Sequence, residues 1–254
     1  MAFKDPDEKY RKFVLVGTSG GSGERQLLSP LHFEAMVNVS RALMAYIQEK
    51  RYAEIPGKAA GLILTSNGGV WTDHIAVDLY NAAPSSAPLT LRLPAEFKDG
   101  RFVDAGQNSP GAIANHFHRL FSHECWKDSS RSLNAITRAI DNGATVITAG
   151  RPETQKMVTA ADAAAMVAFT FGTSPKPYFG LKPDAGKAAD VGVKPGPAAE
   201  SWRNCNTEAA KFHIPLQTIL DTQKVIVSKF TERAKQMEHQ RNQVQVVDDS
   251  PCPF

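Results

Sequence analysis

The amino-acid sequence predicts an α/β fold, a Rossmann-like open parallel sheet with helices on both faces and a long C-terminal helix. Two short apolar runs, residues 12–16 and 62–64, are each followed closely by a glycine-rich turn. Segments with apolar residues at helical spacing come after both turns. Because strand and helix alternate along the chain, right-handed β-α-β crossovers and a parallel sheet are expected.

The composition and charge limit the classes of protein to which this chain can belong. With 254 residues, of which 42% are hydrophobic, the chain can bury a full core. The formal net charge is only +3, and the basic residues are spread along the chain, so a nucleic-acid groove is not indicated. Three widely spaced cysteines suit a reducing compartment, and no segment is long and apolar enough to cross a membrane. We therefore expect a cytoplasmic protein.

Periodicity and turn residues place the remaining elements. Strands are predicted at residues 12–16, 62–64, 89–93, 144–148, 165–172 and 212–216. Helices are predicted at residues 33–51, from 75 onward, at 112–121, at 132–140, through Met157, Ala161, Ala164 and Ala165, and from 216 onward. Residues 96–110 are interpreted as a loop and 173–197 as a longer loop or lid. We expect residues 1–216 to form the main domain and residues 217–254 to form a C-terminal helix and polar tail. The second half of this helix would fray, project into solvent, or contact a partner or a second copy of the chain.

The two glycine turns are the main candidates for a ligand site. The first contains Thr18, Ser19, Gly20 and Gly21, and the second contains Ser66, Asn67, Gly68 and Gly69. Glycines let the backbone approach a ligand, and a helix that begins after such a turn directs free N–H groups towards an anion. We expect the turns to end neighbouring strands at a switch point of the sheet. Asp73 follows the second turn, where a carboxylate more often complements the helix dipole than acts in catalysis.

Three histidines, His116, His118 and His123, lie on or just after the helix predicted at 112–121. Their spacing is loose and no carboxylate accompanies them, so we expect no metal site. We interpret them as polar residues at the edge of the fold, one of which faces a ligand at most. No cofactor is expected.

The order of these motifs resembles the SLOG superfamily. These Rossmann-like proteins include the Lonely Guy phosphoribohydrolases and sensor domains that bind nucleotide-derived signals. The resemblance covers roughly residues 12–216 and is carried by three stretches: the first glycine turn, the segment from Ser66 to Ala76, and the segment containing Arg151, Lys156 and Asp162 before the strand at 167–169. It implies a nucleotide-like ligand bound at the strand ends.

The resemblance also implies roles for further residues. Arg151 and Lys156 would neutralise phosphate, Gly172 and Gly196 would contribute turns, and Glu200 would stand where hydrolytic members keep a carboxylate. However, Pro197 removes an N–H donor beside Gly196. We therefore expect ligand binding without catalysis. Two alternatives stay open: a nucleoside-phosphate N-glycosidase that uses Glu200 or Asp73, and a structural subunit of a larger assembly.

Overall fold

The computed structural model describes residues 11–20, 24–54, 61–148, 161–171, 201–202, 204–205 and 207–248, with the side chains of 51–54 and 244–248 left aside. The strands are β1 (Lys12–Gly17), β2 (Ile63–Ser66), β3 (Leu89–Leu93), β4 (Phe97–Lys98), β5 (Arg101–Phe102), β6 (Thr145–Thr148), β7 (Ala163–Thr170) and β8 (Ala210–Pro215). The helices are α1 (Pro30–Glu54), α2 (Ile75–Ala82), α3 (Pro110–Trp126), α4 (Arg131–Asp141) and α5 (Ile219–Asp248), and a 3-10 turn (Trp71–His74) precedes α2.

Six strands form one parallel sheet in the order β6-β3-β2-β1-β7-β8. The chain builds outward from β1 through β2 and β3 to β6, and then crosses to β7 on the other side of β1. The predicted Rossmann-like α/β fold is confirmed. The strand order reverses between β1 and β7, so the switch point lies there and not between β1 and β2, although β1 and β2 are neighbours as expected.

The core lies on both faces of the sheet. Phe13 and Leu15 of β1 belong to the large core under α1 to α4, whereas Val14 and Val16 face a smaller core that includes Cys205. Such alternation follows from the two-residue period of a strand. Both faces of the central strands are therefore buried, which explains why their sequences read as continuous apolar runs.

Helix α5 packs along α1. The ring of Phe230 lies 5.1 Å from that of Tyr46, and Arg241 donates to the Glu49 carboxylate at 2.7 Å. Contacts thus extend past the first half of α5, although most of its later side chains are exposed. Within the described part of the chain, every helix falls short of the length and apolarity that a membrane span needs.

Two predicted elements are wrong. The loop expected at 96–110 contains the antiparallel ribbon β4–β5, whose turn residues Asp99 and Gly100 have φ of +52° and +76°. An Asp-Gly pair with both φ positive is the preferred two-residue hairpin turn. Ala164, expected in a helix, lies in β7, and Ala165, which both the predicted helix and the predicted strand 165–172 contained, belongs to the strand. Burial on both sides of a central strand overrides the helix propensity of alanine.

Helix α3 is also longer than the predicted 112–121. Ser109 caps its N-terminus by accepting a hydrogen bond from the N–H of Ala112 at 3.1 Å, and Pro110 occupies the first helical position. The helix ends at Lys127 in a left-handed conformation. His123 is therefore part of α3 and not beyond it.

Candidate functional site

The strand-end site, by which we mean the turns at residues 18–20 and 66–70, lies at the carboxyl edge of the sheet. The first turn follows β1 and the second begins at the last residue of β2, and these strands are hydrogen-bonded neighbours. The N–H of Thr18 donates to the carbonyl of Phe169 at 3.0 Å, which ties the first turn to β7. The carboxyl ends of β1, β2 and β7 thus meet at one place.

The first turn is held by a side-chain hydroxyl. Thr18 is buried, and its hydroxyl donates to the carboxylate of Glu24 and accepts from the N–H of Gly20 at 3.1 Å. The Thr18 proton and the Gly20 N–H are therefore both engaged within the protein. Ser19 is exposed between them.

The second turn repeats this arrangement. The buried hydroxyl of Ser66 donates to the carbonyl of Asp73 at 2.7 Å and accepts from the N–H of Gly68 at 3.1 Å. Gly68 has φ of +65°, and a Cβ on Gly69 would lie 2.6 Å from a carboxylate oxygen of Asp73. The glycine at 69 thus lets the backbone lie directly against that carboxylate.

Trp71 locks the two turns together. Trp71 is 2% exposed and has φ of +52°, a backbone conformation that is strained for a residue with a bulky side chain. A Cβ on Gly20 would lie 2.3 Å from the indole nitrogen of Trp71, and the N–H of Thr72 donates to the carbonyl of Thr18 at 3.3 Å. Gly20 therefore provides space for a tryptophan.

A buried chain of hydrogen bonds connects the second turn to helices α3 and α4. One ring nitrogen of His118, Nε2, lies 2.9 Å from the carbonyl oxygen of Gly68, and the other, Nδ1, lies 2.9 Å from the hydroxyl of Ser132. Because a carbonyl only accepts, Nε2 carries a proton, and in the neutral ring Nδ1 accepts from the Ser132 hydroxyl, which also lies 3.2 Å from the His118 carbonyl. The Ser132 N–H in turn donates to the hydroxyl of Ser122 at 2.9 Å.

His118 is neutral in this network. Burial lowers its pKa to about 4, although the Gly68 carbonyl and the Asp73 carboxylate act in the opposite direction. The expectation that His118 is a polar edge residue is wrong, since it is 1% exposed, while His116 and His123 are exposed. No group of three metal-ligating side chains is found among the residues that the structure describes.

His74 lies beside His118 within a cluster of aromatic rings. Its ring centroid is 5.8 Å from that of His118 and 5.4 Å from that of Phe121. Burial is the main reason that its pKa lies well below the usual value, and the nearby His118 acts in the same direction. Asp78, 3.9 Å away, has its pKa raised to about 6, mainly by burial. His74 is thus a neutral part of the core.

The predicted site residues fall into two groups. The structure brings together Thr18, Ser19, Gly20, Ser66, Asn67, Gly68, Gly69 and Asp73 at the strand ends. The others lie outside the described residues: Gly21, Arg151, Lys156, Gly172, Gly196 and Glu200. Their assigned roles stay predictions.

Two residues of this region were not predicted to act there. Glu24 follows the first glycine turn, and a carboxylate so close to a strand end was an available signal. His118 shares a helix face with Phe121 and Ser122, because residues three and four positions apart lie on one side of a helix. That spacing indicated burial.

Comparison with known proteins adds one relative. Over 167 residues the chain is 30% identical to "Uncharacterized protein R261" of Acanthamoeba polyphaga mimivirus, a match that spans 65% of this chain and 84% of the viral protein. No protein-family model and no solved structure matches the chain.

Proposed function

The chain belongs to the family of that mimivirus protein, and we propose that it binds a nucleotide or nucleotide-derived ligand at the strand-end site. The observation that carries the proposal is the meeting of two glycine turns on the neighbouring strands β1 and β2, beside the switch point at β7. Open α/β sheets bind ligands in the crevice outside the carboxyl ends of their strands. The resemblance of these turns to SLOG proteins supports the same class of ligand.

The hydrogen bonds of the turns favour particular backbone groups for ligand contact. The N–H groups of Gly20 and Gly68 are engaged by Thr18 and Ser66. Ser19 and Gly69 are the neighbouring positions, and their N–H groups form no hydrogen bond with any part of the chain that the structure describes. Either N–H group can donate to an acceptor of the ligand, and at other turns between strand and helix a phosphate accepts from such groups.

Thermal unfolding with a panel of nucleoside monophosphates, cyclic nucleotides and ADP-ribose tests the proposal. A ligand at a hundred times its Kd stabilises the folded state by about 2.7 kcal/mol. For a chain of this size that corresponds to an increase in Tm of about 5–10 °C. Inorganic phosphate serves as the reference for unspecific anion effects, and a panel without any shift above that reference would contradict nucleotide binding.

A matched pair of variants locates the ligand. Ser19→Glu places a larger, negatively charged side chain at the exposed position of the first turn, so it should block a nucleotide that lies across the two turns and abolish the shift. Ser85→Glu makes the same change at an exposed position between α2 and β3 and should retain it. Equal shifts in both variants would place the ligand elsewhere.

Hydrolysis of an N-glycosidic bond is the second candidate, because the Asp73 carboxylate lies against Gly69. A carboxylate that stabilises an oxocarbenium ion has to reach the sugar, and Asp73 is only 8% exposed. We therefore expect binding without cleavage. Incubation with nucleoside monophosphates and chromatographic detection of free base tests this, and release that Asp73→Asn abolishes would establish the hydrolase instead.

A further inference from the structure

We propose that Glu24 recognises the vicinal hydroxyls of a ribose, with the base on the side of His32 and Phe171 and the phosphate on the side of Gly69. This inference rests on the proposed nucleotide binding and assigns an orientation to the ligand. It makes Glu24 a residue that determines specificity for ribonucleotides.

Glu24 is placed at the first turn by its own hydrogen bond. Its Oε2 accepts the proton of the Thr18 hydroxyl, and the residue is half-buried. Its backbone carbonyl accepts from the N–H groups of Leu27 and Leu28 at 2.9 and 3.2 Å, which fixes the segment that carries it. Among the described residues, no donor engages the second carboxylate oxygen. That oxygen is available to a ligand.

The charges around Glu24 disfavour a phosphate at this turn. Arg25 is the adjacent cation in the chain, and its guanidinium is held by the carboxylate of Glu124 on α3 at 3.3 Å. Burial lowers the pKa of His32, so this ring is neutral near pH 7. A phosphate next to the carboxylate would therefore meet a like charge without a described cation to compensate for it.

A ribose suits the same position. An ionised carboxylate accepts hydrogen bonds and donates none, and the two hydroxyls of a vicinal diol are donors. An acidic residue near the strand ends recognises ribose hydroxyls in this way in dinucleotide-binding folds. The Thr18 hydroxyl cannot donate to the ribose, because its proton is already donated to Glu24.

Two aromatic rings lie on segments that adjoin residues hydrogen-bonded to this turn, because the Thr18 N–H donates to Phe169 and the Leu28 N–H to Glu24. Phe171 follows β7, and its ring centroid is 6.2 Å from that of His32 at the start of α1. The His32 ring is held by the Ser29 hydroxyl, 2.8 Å from Nδ1. Aromatic faces stack on nucleobases with little dependence on the base. The base therefore extends towards β7, and the phosphate towards the second turn.

Calorimetric titration of the full chain with AMP, GMP, CMP and UMP, and with the 2′-deoxy form of each, tests the orientation. For each nucleotide that binds, the deoxy form should bind about tenfold to a hundredfold more weakly, as expected for loss of a hydrogen bond to a charged acceptor. Glu24→Ala should weaken the ribonucleotide to the level of the deoxy form. Glu34→Gln, at an exposed position on α1, should leave both affinities unchanged.

The outcomes separate this inference from the proposed function. If ribo and deoxy forms bind the wild-type chain equally, or if Glu24→Ala retains the preference, the role of Glu24 is refuted while nucleotide binding stands. If none of the eight nucleotides binds, the orientation is refuted, and nucleotide binding itself is refuted only if the thermal panel with cyclic nucleotides and ADP-ribose also shows no shift. The wild-type comparison needs no substitution, so it holds even if Glu24→Ala unfolds.

Discussion

Because His118 is buried and neutral, we predict that this residue makes the fold less stable as the pH falls. Its pKa is about 4 in the folded chain against 6.5 for an ordinary histidine. Between these values the unfolded chain binds more protons than the folded one, so stability present above pH 6.5 is lost as the pH falls towards 4. Protonation would also make Nδ1 a donor that faces Ser132.

The size of the effect follows from the two pKa values. At 1.36 kcal/mol per unit, a difference of 6.5 minus 4 gives a loss of about 3 kcal/mol once the pH is below 4. Between pH 7.5 and pH 5 the loss is about 2 kcal/mol. His74 contributes in the same direction, because burial also lowers its pKa.

The assay is urea unfolding between pH 7.5 and pH 5 on the wild-type chain and on His118→Gln. Glutamine retains a donor for the Gly68 carbonyl but does not titrate. We expect the wild-type chain to lose about 2 kcal/mol more than the variant over this interval. His116→Gln, an exposed position on the same helix, should behave like the wild type. An identical pH dependence in His118→Gln and the wild type would refute the buried neutral histidine.

Three further predictions concern stability and reactivity. Gly68→Ala should lower the free energy of unfolding by about 1–3 kcal/mol, because φ is +65° and a Cβ would lie 2.4 Å from a leucine methyl of β3. Gly61→Ala, at a position with open space around it, is the control, and equal effects of the two variants in urea unfolding would contradict this prediction. Tyr80→Phe should cost about 1 kcal/mol in the same assay, since its hydroxyl donates to the carbonyl of Asn142 at 2.7 Å, and no change would show that bond to be unimportant. Burial is the main reason that the pKa of Cys125 is raised to about 12. Its thiol should therefore react with a disulfide reagent at pH 8 much more slowly in the folded chain than in urea, and equal rates would show that Cys125 is not buried.

Local sequence patterns were sufficient for much of the fold. Strand β3 was predicted at residues 89–93 and is found at Leu89–Leu93, because apolar and polar residues alternate there between clear turn signals. The ribbon β4–β5 was missed although its Asp99-Gly100 pair is a strong hairpin signal. Ala164 was assigned to a helix, and Ala165 to both a helix and a strand, because alanine favours helices unless tertiary packing overrides that preference.

The site was less accessible to such reasoning. Both glycine turns were identified, and glycine is needed at Gly68, where φ is positive. At Gly20, however, the structure adds a second demand, space for the indole of Trp71. Gly20 and Trp71 lie in different turns, so the sequence pattern of one turn gives no information about its contacts with the other. The same holds for the contact between His118 and Gly68, which are separated by 50 positions.

The sequence by itself determined that strands and helices alternate around a parallel sheet and that two glycine turns follow the strands β1 and β2. These properties depend on backbone conformation and on the periodic burial of side chains, both of which are local. Only the tertiary structure decided that the Gly20 and Gly68 N–H groups are engaged, that His118 is buried and neutral, and that Glu24 lies at the first turn. Hydrogen bonds and burial depend on which distant elements meet, so the chemistry of the strand-end site was fixed by packing.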